Sequence, residues 1–163
     1  MVRKITVLVP LIVASITLGI LGLTFIPKRV KNRNLDFSRG TIVSNNHPIS
    51  TEIAETPAER QRWLTFRTEQ LPLNSSLLLV YDKPDLYSLW LLNIQFNLDL
   101  IWLDNSGNIV YMKQNAVPCN NTLDAAKCSY KNTIPSKYIL AATSGFIKYH
   151  KITNDSKIKL ISI

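Results

Sequence analysis

Two cysteines, two histidines and one pair of close aspartates are the side chains of this sequence whose types could do chemistry. Cys119 and Cys128 lie nine positions apart in a polar stretch. Joined as a disulfide, they would stabilise the fold by about 2.5–3 kcal/mol on a chain-entropy argument. The alternatives are two free thiols, or a thiolate pair in metal or redox work. Metal and redox work lack their usual signatures: a C-x-x-C spacing is absent, and a metal would need two more ligands. His47 and His150 stand in no ligand spacing, so no metal is expected. Asp82 and Asp85 flank a turn, where neighbouring aspartates are ordinarily solvated. The chain contains no G-x-S-x-G and no H-E-x-x-H. Its five glycines, two of them within an apolar N-terminal run, form no phosphate-cradling loop. No cofactor is therefore expected, and motifs give no positive support for an enzyme.

The elements that must position these residues are mostly strands. Residues 41–54 alternate weakly as one or two short strands about an Asn45–Pro48 turn. Thr56-Pro57-Ala58-Glu59 is a capping box with proline at the first helical position, predicting a helix to about Phe66. Its Arg60 and Arg62 read as solvated. Ser76–Tyr81, Ser88–Leu92, Leu98–Leu103, Ile109–Met112, Tyr138–Ala142 and Ile158–Ile163 have strand length and character. The cluster Asp104-Asn105-Ser106-Gly107-Asn108 makes 98–112 a β-hairpin. Residues 114–131 read as irregular, and Thr143–Lys151 as a short helix.

The N-terminus has a different character. Ile5 to Pro27 is a run of 23 residues without a charge. As a helix, a run of that length spans the roughly 30 Å hydrocarbon core. No small-residue cleavage site follows it, which favours an anchor over a removed signal peptide. The formal charge is +8, but six of the nineteen basic residues flank this run. From Asn34 onward, thirteen basic residues face eleven acidic ones, a net of +2. A nearly neutral body gives no nucleic-acid footprint, and none is expected as a partner. Four basic residues just after the run would, counted alone, hold the domain in the cytoplasm. A disulfide instead favours an oxidising compartment, and an extracytoplasmic domain is the reading adopted. The divisions expected are an anchor over 1–27, a basic juxtamembrane linker over 28–40 and a globular domain over 41–163.

From about Ile49 onward, the chain resembles the DUF192 family of uncharacterised small proteins. A "TPxER…GLMxR" landmark is matched by Thr56-Pro57-Ala58-Glu59-Arg60 and Trp63-Leu64-Thr65-Phe66-Arg67. The "GMLFxF" strand is matched by Ser76–Tyr81. The central "FWMxNTxxPLDIIFLDxxG" block corresponds to Leu89-Trp90-Leu91-Leu92-Asn93, then Leu98-Asp99-Leu100-Ile101-Trp102-Leu103-Asp104 and Gly107. "ENAxPC" is matched by Gln114–Cys119, with Cys128 as the frequent second cysteine. Trp63, Thr65, Leu91, Leu92, Ile94 and Asn97 depart from the pattern, mostly toward apolar residues. The resemblance implies an α+β fold: a compact, mostly antiparallel, barrel-like β domain with one or two short helices, here preceded by one transmembrane helix. It also implies frequent export and no assigned activity.

The matched positions leave Arg67, Asn93 and Asp99, with Trp90 beside them, as candidate ligand-binding residues. Arg67 and Asp99 would orient a polar ligand in a cleft, or form a structural ion pair. Asp104 reads as the opening residue of the hairpin turn. Trp90 and Trp102 read first as core and otherwise as stacking platforms. The function expected is a membrane-tethered binding module for a small polar ligand, a glycan or a protein. The alternative is a hydrolase or other envelope enzyme using Asp99 with Arg67.

Overall fold

The computed structural model describes Ser15, residues 36–119 and residues 126–162. Contacts separate residues 1–34 from residues 35–163, and the second unit is the one described below. The expected anchor over 5–27 lies, apart from Ser15, outside the described residues. Among the described residues, no helix is long and apolar enough to cross a membrane.

The domain opens with a hairpin of β1 (Ser38–Ser44) and β2 (His47–Ala54). Strand pairing therefore starts inside the stretch read as linker. Its two turn residues, Asn45 and Asn46, have φ of 49° and 66°. Asparagine tolerates that left-handed backbone, and such a turn matches the twist of paired strands. The helix α1 (Pro57–Arg62) follows, with both bonds of its capping box formed. The Thr56 hydroxyl accepts from the Glu59 N–H, and the Glu59 carboxylate accepts from the Thr56 N–H at 2.8 Å. The helix stops at Arg62 rather than near Phe66, because Trp63 and Leu64 turn inward and are buried. That crossover lets β3 (Ser75–Asp85) pair parallel to β2.

Among the described residues, every other pairing between strands is antiparallel. With β4 (Ser88–Trp90), β5 (Leu98–Leu103), β6 (Ile109–Ala116), β7 (Ser129–Lys131), β8 (Ser136–Thr143) and β9 (Ile158–Ser162), the described residues form two sheets. The larger runs β6-β5-β8-β3-β2-β1-β9, and the smaller is β4-β7. The barrel-like expectation needs correcting here: the large sheet is open. Its end strands approach at the bridge between Asn108 and Lys157, where the Ile158 N–H also bonds the Gly107 carbonyl at 2.9 Å. Gly107 has φ +77°, and a Cβ there would run into the Ile158 carbonyl, so this approach requires glycine.

Strand alternation divides the core into two faces. On one, Leu77, Leu79, Leu98, Leu100, Trp102 and Ile139 are covered by Trp63, Leu64, Leu71 and the β4–β7 region. On the other, Leu78, Ile101, Leu103 and Leu140 pack with Ile42, Ile49 and Ile158. That second face is closed by Phe146 and Ile147 of the short helix α2 (Phe146–Tyr149). Cys119 and Cys128 are joined as a disulfide, with Cα atoms 5.3 Å apart. The bond ties the end of the β6 arm to the start of β7, beside Leu91 and Leu92.

Candidate functional site

Asp99 is the only polar residue of β5, and it is 2% exposed. Its position on the strand turns it to the same face as Ile101 and Leu103, toward α2. One carboxylate oxygen accepts from the Asn115 N–H at 2.9 Å. The other accepts from the Gly145 N–H at 3.1 Å and the Ile147 N–H at 2.9 Å. These are amides of the first turn of α2, which no intrahelical carbonyl serves. Gly145 has φ +97°, a backbone that leads the chain from β8 into the helix and that glycine adopts freely. Around this anchor, the Asn115 side-chain oxygen accepts from the Asn97 amide at 2.9 Å and the Ser144 hydroxyl at 3.0 Å. The Asp99 carboxylate is thus sealed among backbone donors.

Arg67 is placed elsewhere. Its guanidinium grips Glu52 of β2 in a two-bond fork, 3.2 and 2.6 Å, with both side chains about one-quarter exposed. Neither the Arg67–Asp99 cleft nor the Arg67–Asp99 ion pair is formed. Asn93 is an exposed turn residue at φ 59°, and its carbonyl accepts from the Phe66 N–H. Trp102 is fully buried, but Trp90 is 44% exposed, which corrects the first reading of it. Leu89 and Tyr130, paired across β4 and β7, take the inward positions, leaving Trp90 opposite Ser129 on the outer face. Of the departures from the family pattern, Trp63, Leu91 and Ile94 are core residues. Asp104 is the turn residue expected, accepting from the Ser106 and Asn108 N–H groups and the Asn108 amide. Burial raises its carboxyl, but the bonds from Asn108 and Ser106 outweigh that and hold it below its ordinary value.

The other end of α2 lines an open cavity of about 490 Å³. Its walls are Asn45, His47, Pro48, Asn74, Tyr149, His150 and Lys151. They come from the β1–β2 turn, the start of β2, the residue before β3 and the C-terminal end of α2. The Asn45 amide donates to the carbonyls of His150 and Lys151 at 3.0 and 3.2 Å, latching the turn to the helix end. His150 is 8% exposed, and its Nε2 lies 2.8 Å from the Leu73 carbonyl. A carbonyl only accepts, so Nε2 is the donor in this bond. The Tyr149 ring is 61% exposed and stands edge-on to His150, centroids 4.9 Å apart. Both histidines of the chain line this one cavity. Sequence reasoning set them aside for want of motif spacing, although their rarity was the available signal. Among the described residues, no three metal-ligating side chains cluster.

Three comparisons bear on what kind of protein this is. The family model DUF192, described as "Uncharacterized ACR", matches residues 40–160. No curated protein matches at a significant level. Among solved structures, a candidate transcription regulator from Sinorhizobium meliloti 1021 superposes with a TM-score of 0.68 at 17% identity. The alignment covers 78% of this chain and 97% of that one. A protein of unknown function from Novosphingobium aromaticivorans DSM 12444 gives a TM-score of 0.62 at 23% identity. There the coverage is 76% and 84%. At such identities the likeness is one of fold.

Proposed function

The chain belongs to the DUF192 family, and from that premise we propose that it is a membrane-tethered binding module. Its ligand is small and polar, of sugar size, and the cavity between the β1–β2 turn and the end of α2 receives it. The observation that carries this reading is the cavity itself. Its volume falls within the few-hundred-Å³ range of small-molecule sites. Its lining also combines an exposed aromatic face with amide, imidazole and ammonium groups, a mixture that orients a ligand rather than merely enclosing it. The charge-free run over 5–27 supports the tether, and the disulfide supports an extracytoplasmic position. Arg67 and Asp99, each engaged with other partners, enter this proposal as scaffold.

The test is ligand-observed NMR on the full chain in detergent against a panel of neutral and charged monosaccharides. Saturation transfer to at least one sugar, lost in Tyr149→Ala while the fold is kept, is the expected result. Equal transfer in the wild type and the variant would move the site elsewhere. Topology is read separately by labelling intact cells with a membrane-impermeant maleimide. Labelling of Cys119 and Cys128 only after reduction is expected; labelling only after lysis, without reductant, would place the domain in the cytoplasm.

A further inference from the structure

The charge of the cavity narrows the ligand. The chain has eleven acidic residues, yet none lines the cavity. Its ionisable walls are His47, Tyr149, His150 and Lys151, so it can carry positive charge and offers no carboxylate to balance a cation. Lys151 is also held in place. Its backbone is left-handed at φ 52°, its N–H bonds the Lys148 carbonyl, and its own carbonyl accepts from Asn45. A non-glycine residue rarely adopts that backbone unless its surroundings fix it. The side chain thereby starts from a defined point at the rim.

The uncharged groups contribute both halves of a hydrogen-bond code. The Asn45 amide nitrogen is already used, which leaves its oxygen as an acceptor. His150 spends its Nε2 on the Leu73 carbonyl, which leaves Nδ1 as the ring nitrogen not used in that bond. Asn74 supplies both an acceptor and a donor, and the Tyr149 hydroxyl does the same. Hydroxyl groups, which donate and accept at once, suit such a wall better than a purely accepting ligand does. The exposed Tyr149 ring adds a flat surface for the C–H face of a sugar ring.

Resting on the binding reading above, we infer that the cavity takes a polyhydroxylated anion, a sugar acid or a sugar phosphate, and that Lys151 recognises its charge. The probes are glucose, glucuronate, glucose 6-phosphate and inorganic phosphate, titrated calorimetrically or by NMR into the full chain in detergent. One or both charged sugars should bind roughly tenfold more tightly than glucose at low salt, with the gap shrinking as salt is added. Which of the two binds distinguishes a carboxylate from a phosphate ligand. Lys151→Gln should close the gap, whereas Lys113→Gln, at a lysine that lies over the Tyr130 ring, should leave the gap intact. Equal affinity for glucose and the charged sugars overturns the anion assignment and spares the binding module. A charge preference that survives Lys151→Gln overturns the role given to Lys151. Inorganic phosphate binding as well as the sugar phosphate overturns the polyol half, and silence from every probe overturns both readings.

Discussion

The two ends of α2 treat polar groups in opposite ways. At the N-terminal end, Asp99 is buried and each of its oxygens is engaged by backbone N–H groups, with Asn115 bonded to Asn97 and Ser144 alongside. At the C-terminal end, Asn74, His47 and Lys151 are exposed to an open cavity. A carboxylate is the more reactive-looking group, but here it is buried and already bonded to three backbone N–H groups. The Asn74 amide and the His47 imidazole, by contrast, are exposed. A residue's chemistry becomes function only where the fold leaves it unsatisfied. The first end sets up the second, since fixing the first turn of α2 fixes where Tyr149, His150 and Lys151 stand.

The sharpest way to break this contrast is at Asp99. Alanine there would strand three backbone donors in a buried place and should cost roughly 3 kcal/mol or more, read by chemical denaturation. Asparagine keeps the shape but turns one acceptor into a donor facing other donors, and should cost about 2 kcal/mol. If Asp99→Asn proved normally stable but unable to bind ligand, Asp99 would belong to the site and the contrast would collapse.

Tyr81 extends the same rule to a group whose charged form is the one denied partners. Its ring stacks on Tyr87 with centroids 3.6 Å apart, and the Arg60 guanidinium lies 5.1 Å away. Burial pushes the phenol up to about 12 from its ordinary 10.0; Arg60 opposes this and Tyr87 adds to it. The unfolded chain therefore loses this proton before the folded one does. Stability is complete below about pH 10 and falls by roughly 2 kcal/mol as pH rises toward 12. Urea midpoints at pH 9 and 11 should differ less in Tyr81→Phe than in the wild type. An unchanged difference would mean that other groups govern the alkaline loss.

How far the sequence reveals these regions depends on how local their causes are. The Asn45–Asn46 turn and the Thr56–Glu59 capping box are each set by residues within four positions, and both were legible. Asp99 was visible as a position that matches the family pattern, but its helix partners lie 46 and 48 positions downstream. Arg67 was visible too, and Glu52 was not, because the two lie 15 positions apart, on β2 and in the stretch that follows α1. The short strand β7 is polar and was missed, since what makes it a strand is β4 beside it. Trp90 was misread because apolar residues stand on both sides of it, so alternation does not say which way the ring faces. The cavity joins segments about a hundred positions apart and has no local signature at all.

Asn115 offers a finer test of the saturated end. Its φ is 50°, a value that glycine adopts without strain. Asn115→Gly therefore keeps the backbone, and with it the N–H that reaches Asp99, while deleting the acceptor for Asn97 and Ser144. The bonds are exposed, so a loss of about 1 kcal/mol is expected, part of it the added freedom of glycine in the unfolded chain. A loss as large as that of Asp99→Ala would mean that the side-chain cluster, not the backbone donors, holds this end together.

The smallest effect on stability is expected where the effect on binding should be greatest. His47 and Asn74 are exposed at the cavity and outside both apolar clusters, so His47→Ala and Asn74→Ala should each change stability by no more than about 0.5 kcal/mol. Asn45→Ala, by comparison, should cost more, because it releases the bonds that latch the turn to the end of α2. Denaturation curves and sugar titrations on the same three variants separate the two roles. Should His47→Ala and Asn74→Ala unfold the domain as readily as Asn45→Ala, the open end of α2 would be as structural as the closed one. If they leave stability intact and weaken binding, the fold has kept those groups free at little cost to itself, as a recognition surface requires.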